Sequence, residues 1–362
     1  MSDAMPEDLT RSSRDRGTSG RQLQAWLRSV TGDDDATVGE VTSPESNGMS
    51  SESLLFDATV LGREERLVAR VAPDLSDVPV FPTYDLELQY RVMGLVAEHS
   101  SVPVPRTRWL ELDENPLGAP FFVMDRVDGE AASDVPPYTF EGALVDADAS
   151  TRAACERNAV GLVAGIHSID IGPLDTDFLE LDRPGDTPLR RHVAEWDAYH
   201  EWVRGDRVHP ILRDGRAWLE ENWPNETPAV ISWGDSRIGN VLWQGIEPVA
   251  VLDWEMAGLG PRELDLGWML FLHQFFQRIA ETFELPGLPD FMQRDRVVAT
   301  YVEMTGVEPV DLHWYETYTA WRHGIIMARI QARSVHFGQA EWTDDVDAPI
   351  LHRDQIAELI SR

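Results

Sequence analysis

The sequence predicts an α+β chain in two lobes: a small antiparallel sheet with one main helix, then a larger, mostly helical lobe. Three observations predict it. Runs of β-type residues cluster before residue 130, and helical periodicity dominates after residue 150. Between them lie the breakers Asp128-Gly129-Glu130 and Pro136-Pro137. On this reading residues 1–20 are a flexible tail, 21–130 a first lobe and 131–362 a second.

The tail is rich in Ser, Arg, Asp, Pro and Gly and has almost no apolar periodicity to offset the entropy of ordering it. A first helix is expected over 21–30, where Leu23, Trp26, Leu27 and Val30 recur at helical spacing. A polar, glycine-bearing interval follows over 32–53. It leads into a hairpin of two β-type runs, 54–61 and 66–71, joined by Gly62-Arg63-Glu64-Glu65. Leu86, Tyr90, Met93, Leu95 and Val96 predict a helix over 84–99 that stops before Val102-Pro103-Val104-Pro105. Strands are expected again at 106–112 and 121–127. In the second half, helices are predicted over 151–167, 189–203, 211–223, 262–283, 291–305, 312–337 and 351–361. Two short β-like runs interrupt them, 229–232 and 249–252.

Composition narrows the function. The 362 residues are 43% hydrophobic, enough for one large core or two modest ones. Against 63 acidic residues stand 31 basic ones, a formal charge of -32 that repels phosphate backbones and anionic lipid surfaces, so neither nucleic acid nor membrane is expected as a partner. The acidity suits a cationic substrate, and equally solubility or a saline interior. Every basic charge is an arginine, because the chain has no lysine. That excludes Schiff-base chemistry and a Walker-type phosphate loop. Cys155 is the only cysteine, so internal disulfides and cysteine-rich zinc sites are excluded. The most apolar stretch, 264–276, is too short to span a bilayer and carries Asp265 and His273. A cytoplasmic protein is expected; the sequence does not specify its oligomeric state.

The chemistry-bearing residues follow the two β-runs of the helical half. The first run leads into Trp233-Gly234-Asp235-Ser236-Arg237-Ile238-Gly239-Asn240, the second into Asp253-Trp254-Glu255. An Asp and an Asn five residues apart on one loop, with a second Asp after a nearby strand, make a compact set of hard oxygen ligands suited to Mg2+. One acid remains to act as a base.

The pattern Gly234-Asp235-x-x-x-x-Asn240, followed by Val251-Leu252-Asp253-Trp254-Glu255, resembles the catalytic segment of the aminoglycoside phosphotransferase family, which has a protein-kinase-like fold. The likeness extends to Leu259-Gly260-Pro261-Arg262-Glu263-Leu264-Asp265-Leu266-Gly267-Trp268 and, more weakly, from about Arg21 to the C-terminus. It implies transfer of the γ-phosphoryl group of ATP or GTP to a hydroxyl of a small molecule. Asp235 would be the base, and Asn240 and Asp253 would hold Mg2+ against the phosphates. Gly48, Ser50 and Ser51 would offer backbone to the phosphates. Arg70 stands where kinases carry a phosphate-binding lysine; it is a larger, forked cation. Its partner acid would be Glu87, or in another register Gln89 would take that place and no ion pair would form. Met124, Asp125 and Arg126 match the hinge that meets the purine edge.

Trp233 stands where the family often has histidine, so a hydrogen bond of about 1 kcal/mol is expected to be lost and replaced by packing. Asp265 matches an acid that buttresses the catalytic loop; Glu255, near the metal, and Arg237 join it as supporting residues. His167 reads as a core histidine. Acceptor choice is expected to lie in segments 170–225 and 275–340, where Trp196, Tyr199, Trp202, Trp218, Trp314, Tyr315, Tyr318 and Trp321 alternate with Asp197, Glu201 and Glu316. They suggest either a wide pocket for a hydroxylated, cationic amine, with an aminoglycoside one candidate among other metabolites, or, for most of the tryptophans, core packing. The rival readings are a catalytically silent nucleotide-binding protein of the same fold and a metal-dependent hydrolase. The latter lacks histidines beside Asp235 and Asp253.

Overall fold

The computed structural model describes residues 16–44, 51–73 and 78–362. They form two units. One runs to Glu98 and takes in Val104–Asp128; the other comprises His99–Pro103 and Gly129–Arg362.

The first unit opens with α1 (Arg16–Thr31), which starts five residues ahead of the expected helix and takes in residues assigned to the tail. Ser19 is buried there with Leu23, Trp26 and Leu27. Its sheet consists of β1 (Thr37–Val38), β2 (Glu52–Val60), β3 (Arg63–Val71), β4 (Thr107–Glu111) and β5 (Phe121–Asp125), antiparallel in the order β1-β2-β3-β5-β4, with α2 (Leu86–His99) between β3 and β4. Leu54, Phe56, Ala58 and Val60 alternate inward along β2 and meet Leu67, Ala69, Val71, Phe121 and Val123 in one core. Trp26 packs edge-on against Phe121 at 4.7 Å between ring centroids, and its Nε1 donates to Glu111 at 2.9 Å. The hairpin is tighter than expected. Val60 pairs with Arg63, leaving only Leu61 and Gly62 in the turn, at φ 50° and 73°. Both positive values match the twist of a type I′ turn. Arg63, Glu64 and Glu65 are therefore strand residues, whose polarity imitates a loop.

The second unit contains β6 (Glu130–Ala131), α3 (Ala143–Asp146), α4 (Ala149–His167), α5 (Pro188–Arg204), α6 (Pro210–Glu221), β7 (Ala229–Ser232), β8 (Val241–Gln244), β9 (Glu247–Val251), β10 (Gly258–Pro261), α7 (Glu263–Thr282), α8 (Arg294–Thr305), α9 (Leu312–His336) and α10 (Arg353–Ile360). Local signals start its helices: Asp148 caps α4 by accepting from the Thr151 N–H, and Thr187 caps α5 with Pro188 in its first turn. α7 is the central helix, buried on nearly every side. It crosses α9 closely at Gly267, where a Cβ would lie 3.0 Å from the Tyr315 backbone. β7 pairs with β10, and β6, β8 and β9 form a second small sheet. Cys155 is buried on α4, and burial with the neighbouring Glu156 pushes its thiol up to about 12. No helix among the described residues is long and apolar enough to cross a membrane.

Candidate active site

Three chain segments of the second unit bring the predicted acids together. β7 ends at Ser232, and Gly234 turns the chain with φ 89°; a Cβ there would lie 2.1 Å from the Met256 carbonyl, so only glycine fits. Asp235 follows. A short 3-10 turn (Ile238–Asn240) brings the chain into β8, and the hairpin β8–β9 pairs Val241 with Val251. One step further the Leu252 N–H donates to the Asn240 carbonyl at 2.8 Å, so Asp253 emerges beside Asn240. Asp253 holds φ 56°, a left-handed conformation uncommon for a side chain other than glycine and costing about 1 kcal/mol or more.

The carboxylate of Asp235 is held from three sides. Trp268 Nε1 donates to Oδ1 at 2.6 Å, Asn240 Nδ2 to Oδ2 at 2.6 Å, and Arg237 Nε straddles both oxygens at 3.2 and 3.3 Å. A carboxylate accepts about four hydrogen bonds, and the shared Arg237 contact is the longest of those made here. Arg237 also pairs with Asp134. Burial works against its charge, yet the carboxylates of Asp235, Asp134 and Asp253 raise its pKa above the ordinary guanidinium value. A small cavity beside it is lined by Asp134, Tyr138, Gly239, Met269 and His273.

Behind the loop, Asp265 is fully buried at the start of α7. Its Oδ1 accepts from the Gly234 N–H at 2.8 Å, and its Oδ2 from the Trp233 N–H and His167 Nε2, each at 2.9 Å. Burial alone would raise this carboxyl, but His167 and the two N–H groups hold it below its ordinary value. His167 is thus more than core filling: it ties Asp265 to Tyr301, whose hydroxyl lies 2.9 Å from its Nδ1. The loss of a hydrogen bond expected at Trp233 does not occur. Its Nε1 donates to the carbonyls of Leu252 and Asp253, at 2.9 and 3.2 Å, and so fixes one acid loop to the other. Glu255 lies in the turn after Trp254.

The donor set fits Mg2+. Asn240 uses Nδ2 on Asp235, so its Oδ1 is the atom that could serve, with the Asp253 carboxylate, as a hard oxygen ligand. Among the described residues no three His, Cys, Asp or Glu side chains gather into a metal nest, so phosphate and water would complete the shell.

In the first unit, Gly48 and Ser50 lie outside the described residues, and Ser51 is buried just before β2. Arg70 sits on β3 opposite Ser53, and its Nη1 donates to the Ser53 hydroxyl at 3.4 Å. The ion pair expected between Glu87 and Arg70 is not made. The buried face of α2 is Leu86, Gln89, Val92, Met93 and Val96, which turns Glu87 outward, 4.0 Å from Arg91 one turn on. Met124 is buried in β5; the N–H groups of Asp125 and Arg126 donate to the carbonyls of Arg106 and Arg66.

Most of the aromatics and acids named for the acceptor pocket are packed or paired within the second unit instead. Trp196, Tyr199, Trp314, Tyr315, Tyr318 and Trp321 are buried in the second unit, with Trp218 partly so and only Trp202 exposed. Trp314 and Trp321 donate to carbonyls of α6. Asp197, Glu201 and Glu316 are committed to Arg216, Arg204 and Arg294. Sequence reasoning missed Trp268 and Asp134 as neighbours of the site. The first lay inside the motif around Asp265; nothing in the sequence signalled the second.

The sequence profile described as the phosphotransferase enzyme family (APH) matches residues 46–294. Among solved structures, an aminoglycoside phosphotransferase described as putative, from Ralstonia eutropha, is 21% identical with a TM-score of 0.67, covering 94% of this chain and 96% of that one. The GDP complex of aminoglycoside 2'-phosphotransferase-IIIa is 11% identical with a TM-score of 0.56, over 94% and 98% of the two chains. A ternary complex of APH(4)-Ia with AMP-PNP and hygromycin B is 15% identical with a TM-score of 0.54, over 94% and 98%. The fold is therefore the kinase-like one of these enzymes. Curated relatives are larger proteins. Acyl-CoA dehydrogenase family member 10 of Mus musculus is 25% identical over 76% of this chain, and the probable acyl-CoA dehydrogenase IBR3 of Arabidopsis thaliana 23% over 79%. The matched part spans 25% and 35% of their own lengths.

Proposed function

The chain belongs to the phosphotransferase enzyme family, and we propose that it moves the γ-phosphoryl group of ATP or GTP to a hydroxyl of a small molecule. The observation that carries this reading is the contact of Asp235 with Asn240 at 2.6 Å on a loop that the β8–β9 hairpin sets beside Asp253.

Phosphoryl transfer asks a protein for positioning and charge neutralisation. Asp235 receives a hydrogen bond from the acceptor hydroxyl, in place of part of the long, shared Arg237 contact, and takes its proton as the oxygen attacks. Trp268, Asn240 and Arg237 keep that carboxylate from rotating. Asn240 Oδ1 and Asp253 would hold Mg2+, which would supply positive charge to neutralise the nucleotide phosphates. Arg70 supplies a second positive group to the nucleotide, and Ser51 with Gly48 and Ser50 its backbone. Amino sugars, amino alcohols and other hydroxylated metabolites are the acceptor class, and the protein works in the cytoplasm.

The test is Mg2+-dependent ADP formation from ATP across aminoglycosides, amino alcohols and sugars, with wild type and Asp235→Ala. Removing a base is expected to lower acceptor-stimulated turnover by about 10²- to 10⁴-fold. Turnover that survives in Asp235→Ala removes Asp235 from the role of base. Nucleotide binding with no turnover for any acceptor supports the silent reading instead.

A further inference from the structure

Arg322 on α9 is buried, with 1% of its surface exposed. Among the described residues no carboxylate pairs with it, and its Nε and Nη2 have no hydrogen-bond partner. Nη1 alone is bonded, to Nε2 of His192 at 3.3 Å. The bond is consistent with a neutral imidazole. Tyr318 donates its hydroxyl to the His192 carbonyl at 3.2 Å and accepts from His192 Nδ1 at 2.9 Å, which leaves Nε2 as the lone pair facing the guanidinium. Burial and Arg322 both hold the His192 pKa well below its ordinary value.

A buried charge is tolerated when something compensates it, and here aromatic faces do so. The guanidinium carbon lies 4.3 Å from the ring centroid of Trp268, 5.0 Å from that of Trp196 and 5.2 Å from that of Tyr318. Burial pulls Arg322 down to about 10, with Tyr318, Asp265 and Asp235 opposing, so the side chain is charged at neutral pH. An apolar side chain of the same length would fill this space without the desolvation penalty. The charge therefore calls for a role, and the ring it covers most closely supplies one. Trp268 is the indole that donates to Asp235 at 2.6 Å. A cation over the ring face draws electron density from the indole and strengthens its N–H as a donor. It also opposes rotation of the ring, because turning Trp268 would break the stacking and the hydrogen bond together.

We propose that Arg322 is a positioning residue, which clamps Trp268 so that its indole N–H fixes the carboxylate of Asp235. Its consequence for catalysis rests on Asp235 being the base; the clamp itself does not.

Two readouts separate these. In the first, the indole ¹H–¹⁵N signal of Trp268, assigned by its loss in Trp268→Phe, is compared in wild type, Asp235→Asn, Arg322→Met and Arg322→Lys. Arg322→Met is expected to move the signal in the same direction as Asp235→Asn, while Arg322→Lys leaves it near the wild-type position. A signal unmoved by Arg322→Met overturns the proposal, whether or not an acceptor has been found. In the second, Mg2+-dependent turnover of ATP is measured in the same variants. Arg322→Met is expected to lose about tenfold or more in kcat with KM for ATP changed less than about twofold, and Arg322→Lys to recover most of it. Equal losses in the Met and Lys variants reduce Arg322 to a packing residue and overturn the clamp. A wild type silent with every acceptor counts against the phosphotransfer reading, and the indole signal still decides the clamp. Should Arg322→Met fail to fold, Arg322→Gln, polar but uncharged, is read in its place.

Discussion

At the scale of single residues, the site depends on positions where no substitute has the right shape. Gly234 is the sharpest case, since its left-handed φ and the Met256 carbonyl at 2.1 Å from any Cβ act together. Gly234→Ala is expected to destabilise the second unit by more than about 2 kcal/mol and to weaken turnover with it. Gly245, in the β8–β9 turn with φ 64° and nothing within 4 Å, is the control: Gly245→Ala meets only the conformational cost of about 1–2 kcal/mol. Urea denaturation of the two variants compares them, and equal losses would show that the Met256 contact can relax. The proposed site residues Asp235, Asn240 and Asp253 were legible because phosphotransfer chemistry would fix such residues and their spacing. Trp268 and Arg322 were not, because their roles arise from a helix crossing that no local pattern encodes.

At the scale of elements, long helices and the core strands stand within a few residues of their sequence patterns, since burial of one face enforces the period. The misses have physical causes. Arg63 to Glu65 read as a loop because the exposed end of a hairpin can be charged on both faces. β10 has the sequence Gly-Leu-Gly-Pro, which carries turn signals, and it is a strand because β7 pairs with it. Asp265 is the joint between β7 and α7, and it makes the joint sensitive to acid. Its folded carboxyl titrates below the ordinary value of about 3.9, so its stabilisation is present above that value and lost as pH falls through the lower one. Asp265→Asn is expected to lower stability at neutral pH by about 3 kcal/mol or more and to flatten the decline on the acid side of pH 4. Denaturation curves from pH 7 to pH 3 measure both. An unchanged acid limb would show that other carboxylates set it.

At the scale of the whole molecule, several histidines are folded in their neutral form. Burial holds His192 and His323 well below their ordinary value and brings His273 and His352 to about 4. The unfolded chain takes up protons at these positions near pH 6.5, and the folded chain does so only lower. Between about pH 6.5 and 4 the unfolded state therefore binds more protons, and stability falls as pH falls, by about 1.4 kcal/mol per pH unit for each such histidine. The urea midpoint is expected to drop steeply from pH 7 to pH 5, in step with proton uptake on unfolding. A flat profile over that interval would mean that these rings are protonated in the folded state. This loss begins well above the range in which Asp265 titrates, so the two effects are separable by pH alone.

The single thiol of Cys155 has a practical consequence. Buried on α4 and held near 12, it carries almost no thiolate at neutral pH and should ignore maleimides and iodoacetamides. A cysteine introduced on the exposed side of the β8–β9 turn would then be the sole labelling handle in the native protein. A fluorophore or spin label there would report on the hairpin that joins the Asn240 and Asp253 loops as nucleotide is added, without first stripping the chain of its own cysteine.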